Sequence, residues 1–198
     1  MRKLWLMVVL GLAGLYGLRL CSPITHAPGV LVRTEPQQVD FTTAQAPIVK
    51  SGWTLKPLAT FTMQARVLGS LRYDDGPPAQ IVPYDLAVGW GPMSDTGVLD
   101  RIDIRQSYRF YHWTYWGTPP VSEQVILSHS CNIHVIPADD GILEKLKSIR
   151  KGSLIRLAGV LVEASHPQGD KPWRSSLTRT DTGEGACEIV YVKSLLVQ

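Results

Sequence analysis

Cysteine is scarce in this chain: Cys21, Cys131 and Cys187 are the only three among 198 residues. That excludes a disulfide-dense scaffold, which needs several bridges in a short chain. No Cys-x-x-Cys and no His-Glu-x-x-His occurs, so the common metal-site spacings are missing. Excess charge is missing as well. The formal net charge is +3, from 20 basic and 17 acidic residues. Arg2, Lys3 and Arg19 supply all of it, because the first 21 residues hold no acid and the rest is balanced at 17 against 17. A neutral body gives no electrostatic footprint for nucleic acid and no surface for acidic polymers. No nucleic-acid partner, cofactor or metal is therefore expected. Internal repeats and low-complexity tracts are absent too.

Long apolar runs are equally rare, with one exception at residues 4–18, which carry no charge. Met1-Arg2-Lys3 precede it, and a basic start before an apolar run marks a segment handed to the export machinery. A spanning helix needs about 17–25 residues. The run reaches that length when residues 19–21 join it and the Arg19 side chain reaches back to the interface. The basic start keeps the N-terminus in the cytoplasm. Residues 1–21 are thus expected to form a transmembrane anchor, in contact with the membrane through residues 4–21. The chain would cross the bacterial inner membrane once and carry its C-terminal domain in the periplasm. Two alternatives stay open: a signal peptide cleaved near Thr25-His26-Ala27, and a lipoprotein acylated on Cys21.

Residues 22–52 contain Pro23, Pro28, Pro36 and Pro47 and little hydrophobic periodicity. They read as an extended tether that lifts the domain off the membrane. Residues 53–198 are long enough for one domain with one core. Residues 60–67 alternate apolar and polar, the mark of a half-buried strand. Further strands are expected within 80–90, 99–105, 124–136, 153–163 and 188–192. One helix is expected after Pro137. It starts on Asp139 and Asp140, carries Ile142, Leu143, Leu146 and Ile149 on one face and ends at Gly152. The order of strands around a single helix resembles the OB-fold, a five-stranded barrel, in which Gly152 and Gly159 would permit tight bends. The fold class expected is mainly β, a small α+β domain with an OB-fold-like five-stranded barrel and one helix, preceded by the transmembrane helix. An α+β sandwich is the alternative.

The densest set of hydrogen-bonding side chains lies at 173–188, which would join the last two strands. Trp173, Arg174, Ser176, Arg179 and Asp181 are its candidate surface residues. A second candidate surface is 108–116, YRFYHWTYW, with six aromatics in nine residues; Tyr111, Trp113 and Tyr115 are its candidate contacts. These rings are expected to fill a core and also to present a partner-facing patch. His134 joins the set, with a backbone group or Asp139 as its expected hydrogen-bond partner. His129 and Cys131 share one face of a strand and His134 the other, which works against three convergent metal ligands. Cys131 and Cys187 can form a disulfide in an oxidising compartment or stay as two buried thiols; spacing does not decide between them. Asp181-Thr182-Gly183 matches the aspartic-protease triplet, but that chemistry needs two carboxylates sharing a proton and no second copy exists. No catalytic residue is assigned, since no nucleophile and base can be paired.

Residues 173–188 with 130–138 resemble exported or membrane-anchored bacterial proteins that carry an OB-fold-like domain and no known activity. The expected function is a membrane-anchored binding or assembly module contacting another envelope protein. A periplasmic hydrolase using the 173–188 loop is the alternative.

Overall fold

The computed structural model describes residues 22–169, 171–178, 181 and 186–198. The strands are β1 (Gln37–Asp40), β2 (Ile48–Lys50), β3 (Trp53–Arg72), β4 (Tyr84–Gly89), β5 (Ile102–Ser107), β6 (Phe110–Tyr115), β7 (Ser130–Pro137), β8 (Leu154–Ser165), β9 (Trp173–Arg174) and β10 (Glu188–Val197). The α-helices are α1 (Thr96–Leu99), α2 (Glu123–Ser128) and α3 (Asp140–Ser148).

β3 shows how pattern becomes structure. Ala59, Phe61, Met63, Ala65 and Val67 are buried, while Thr60, Thr62 and Gln64 between them are exposed. Such period-2 alternation gives a strand one wet face and one dry face. Pro57 cannot donate to a ladder, and it sits where the β3/β8 register shifts, a bulge that tolerates proline. Residues 54–66 of β3 pair with β8 and residues 66–72 with β4. From β4 the pairing runs to β7, then in parallel to β10, then to β8. β1 and β2 add to β3, and β9 adds to β8. β5 and β6 form a separate hairpin.

The expected five-stranded barrel with one helix therefore stands only in its coarser form, a mainly β domain. The sheet has eight strands and is not a true barrel. The edge of β3 opposite β8 is taken by β1 and β2, and β9 ends the other side, so open edges remain. Two helices were also not expected. The stretch 124–136, read as one strand, splits into α2 and β7. Ser122 caps α2 by accepting from the Val125 amide, and this cap outweighs the β propensity of Val125 and Ile126.

The expected helix is present as α3. Asp139 caps it by accepting from Ile142 N at 2.9 Å, and Ile142 and Leu146 are buried. They close a central cluster containing Phe61, Leu86, Val88, Ile133, Leu161 and Val190. On the opposite side of the sheet, Trp53, Leu55, Val82, Ile136, Val162 and Ile189 make a second cluster. Leu68, Ala87, Met93, Ile102 and Ile126 make a third, beneath the β5/β6 hairpin.

Residues 22–52 are not a free tether. Ile24 N donates to Lys151 O at 2.8 Å, and His26 Nε2 lies 2.7 Å from Gly152 O. Val32 is buried, and the Leu31 and Val32 amides donate to Ser94 Oγ. Phe41 and Ile48 pack on the second cluster. The few apolar residues between the prolines are enough to strap this segment to the domain. Among the described residues no helix is long and apolar enough to cross a membrane; the expected anchor at 1–21 lies outside them.

Candidate functional site

Three elements carry the site, and the register of the sheet explains it. Asp85 on β4 lies directly opposite His134 on β7. Their neighbours Leu86, Ile133 and Val135 point into the central cluster, so alternation sends Asp85 and His134 to the other face. There both are almost fully buried, at 1 % and 2 % exposure. His134 Nδ1 and Asp85 Oδ1 are 2.9 Å apart. The same oxygen accepts from Arg109 Nη1 at 3.0 Å. Burying a carboxylate is costly unless charge and hydrogen bonds answer it, and these two donors do. Asp85 Oδ2 is buried and has no partner.

Arg109 comes from the tip of the β5/β6 hairpin, where Ser107 pairs with Phe110. The two turn residues, Tyr108 and Arg109, have φ of 49° and 69°. Two-residue hairpin turns with positive φ favour Asn-Gly, and bulky side chains there carry strain of about 1–3 kcal/mol each. Surrounding contacts hold the turn. Arg109 N donates to the Tyr73 hydroxyl at 2.9 Å, and Asn132 Nδ2 donates to Arg109 O at 3.1 Å. Gln106 Nε2 donates to Asn132 Oδ1 at 3.0 Å. The guanidinium lies over the Tyr73 ring at 3.6 Å and is bonded to Val82 O, a stacked and charge-assisted setting that favours arginine over lysine.

Trp173 supplies the third side, its ring 4.5 Å from that of His134 and 6.0 Å from the Arg109 guanidinium. β9 is only two residues long. Arg174 lies opposite Glu163 and donates to it at 2.7 Å. Together with Trp53, these groups enclose a cleft of ≈ 590 Å³ lined by Arg109, His134, Trp173 and Arg174, within the size range of small-molecule sites. His134 spends Nδ1 on Asp85 and is one of the residues lining this cleft.

Of the residues expected from sequence, the structure brings His134, Trp173 and Arg174 together. His134 bonds Asp85 rather than Asp139, because the β4/β7 register places Asp85 opposite it. Ser176 and Asp181 meet elsewhere: Ser176 Oγ donates to Asp181 Oδ2 at 2.7 Å and accepts from Thr178 N. Arg179 lies outside the described residues, as do Thr182 and Gly183. Tyr111 and Trp113 pack on the third cluster. Trp113 stacks on Tyr115 at 6.2 Å, and the Tyr115 hydroxyl donates to Glu123. The exposed large rings of this stretch are Tyr108, Phe110 and Trp116, at 89 %, 37 % and 93 %.

Tyr111, Trp113, Cys131, Asn132, Asp181 and Cys187 line a smaller pocket of ≈ 190 Å³, and Cys187 also borders the main cleft. Cys131 and Cys187 are not joined by a disulfide. Burial pushes the Cys187 thiol up to about 12 and the Tyr111 hydroxyl up to about 12. A protonated thiol is a poor nucleophile. The Ser175 hydroxyl is spent within the loop, accepting from Ile189 N and donating to Ser176 O. No group of three metal-ligating side chains occurs among the described residues.

Asp85, Arg109 and Tyr73 were missed by sequence reasoning. Asp85 had a usable signal: a lone acid in an apolar strand must find a cationic or hydrogen-bonding partner. Arg109 had none, being one basic residue inside an aromatic run.

Comparison with known proteins finds no family model, no curated protein and no solved structure that matches this chain.

Proposed function

We propose that this chain is a membrane-anchored binding module of the bacterial envelope. Residues 1–21 hold it in the inner membrane, its domain stands in the periplasm, and its binding site is the cleft over His134. In this reading the circuit β3, β4, β7, β10, β8 is an OB-like core, with β7 and β10 parallel and α3 between β7 and β8. The observation that carries the reading is the buried, oriented Asp85/His134 pair facing a cleft beneath a strained arginine turn. Strain and buried charge kept together are features that stability alone does not favour. The exposed rings of Tyr108 and Trp116 support a contact with another envelope protein, since aromatic side chains are enriched in interfaces.

A photocrosslinker placed at Trp116 in the full chain, in intact cells, tests the reading. The expected outcome is a discrete adduct with one membrane or periplasmic protein, absent when the crosslinker sits at exposed Val49. Identical smears from both positions would count against the partner contact.

The Asp85/His134 pair also suits a general base, so a periplasmic hydrolase is the second reading. Among the described residues it lacks a nucleophile beside the imidazole. Ester turnover by the full chain that His134→Gln abolishes would move the protein to that class.

A further inference from the structure

We infer that the cleft over His134 takes a flat apolar group bearing an oxyanion, either a carboxylate or a phosphate; this rests on the reading of that cleft as the binding site. Four observations lead there. The described lining includes Arg109, Lys171, Arg174 and His134 and not one carboxylate, in a body that holds as many acidic as basic residues overall. The acids that answer two of these cations stand outside the lining: Asp85 is buried behind Arg109, and Glu163 holds Arg174 from the neighbouring strand. Lys171 stands exposed beside them.

The second observation is the attitude of Arg109. Its Nη1 is spent on Val82 O and Asp85 Oδ1, and among the described residues its Nε and Nη2 carry no partner. That leaves one edge of a guanidinium whose plane is fixed by the Tyr73 ring at 3.6 Å. A fixed edge with two parallel N–H groups matches the two oxygens of a carboxylate or phosphate. The αL turn keeps that edge in place, so little side-chain entropy is lost when the anion arrives.

The third is the floor. The His134 ring, held by Asp85 on one side and Trp173 on the other, gives the cleft a fixed flat surface. The fourth is the rest of the wall. Trp53, Phe110 and Trp173 line the same space with Pro78 and Pro172, surfaces on which a ring stacks. Its ≈ 590 Å³ holds a ring and one charged substituent.

The test is calorimetric titration of the full chain in nanodiscs with four probes: benzoate, phenyl phosphate, benzamide and inorganic phosphate. Benzoate or phenyl phosphate should bind about tenfold more tightly than neutral benzamide, the margin of a charge-assisted hydrogen bond. Whichever of the two is tighter names the source of the oxyanion. Lys171→Glu, on an exposed side chain, should weaken the anion by about fivefold and leave benzamide and the melting temperature unchanged. Benzamide binding as tightly as benzoate overturns the anion while leaving the cleft as a binding site. Inorganic phosphate binding as tightly as phenyl phosphate overturns the flat group. No binding by any of the four overturns the cleft reading itself.

Discussion

Two side chains of the smaller pocket make stability depend on alkali. Burial pushes Cys187 up to about 12 from an ordinary value of 9.0, and Tyr111 up to about 12 from 10.0. The unfolded chain ionises both groups earlier than the folded one does. Proton binding therefore favours the fold, and the stability that these two groups contribute is fully present below about pH 9 and lost as pH rises toward about 12. Urea midpoints for the full chain at about pH 8 and about pH 11 should differ, and Cys187→Ala should narrow the gap. An unchanged gap would mean that Cys187 ionises freely in the fold. At this scale the sequence was legible in part. His134, Trp173 and Arg174 were chosen for their chemistry and meet in space. Ser176 and Asp181 were chosen on the same grounds and bond each other outside that cleft, Ser176 also bonding Thr178. Composition tells which side chains can form hydrogen bonds, and only the fold tells which have already spent them.

Among the elements, the β5/β6 hairpin shows what pattern misses. The alternation at 99–105 announced a strand, and β5 is there. The aromatic run at 108–116 hid its strand, because rings on both faces leave no period-2 contrast. Tyr111, Trp113 and Tyr115 are half-buried while Phe110, His112 and Thr114 are exposed. A turn of Tyr and Arg with positive φ also lacks the glycine or asparagine that would announce it. Tyr108 is exposed and has no part in the buried network. Tyr108→Asn should therefore stabilise the domain by about 1 kcal/mol, seen as a higher melting temperature. A fall would show that the Tyr108 ring packs in solution. α2 was legible in principle from its Ser122 cap, and was outvoted by the apolar residues that follow.

On the scale of the whole molecule, the strap formed by residues 24–32 joins parts far apart in sequence. Arg150 Nη1 donates to Ser22 O at 3.3 Å. Gly152, with φ of 92°, lies so close to the Ile24 carbonyl that any Cβ would run into it. Gly152→Ala should cost about 1–3 kcal/mol in backbone strain and speed amide exchange at Ile24, which donates across the same contact. Unchanged exchange at Ile24 would mean that the strap is held elsewhere. The sequence read this segment as a tether because proline and polar residues dominate it. That reading describes its extended backbone and misses its docking, since Val32, Phe41 and Ile48 are too sparse to form a periodic signal.

The strained turn sets two kinds of selection against each other. Asn-Gly at 108 and 109 would be the more stable hairpin, and a library sorted on melting temperature would drift toward it. The first replacement discards an exposed ring that does not line the cleft. The second discards the guanidinium that faces the cleft. Heat tolerance can therefore be gained at one turn residue and only traded at its neighbour, so an engineering campaign needs a ligand readout before it touches position 109.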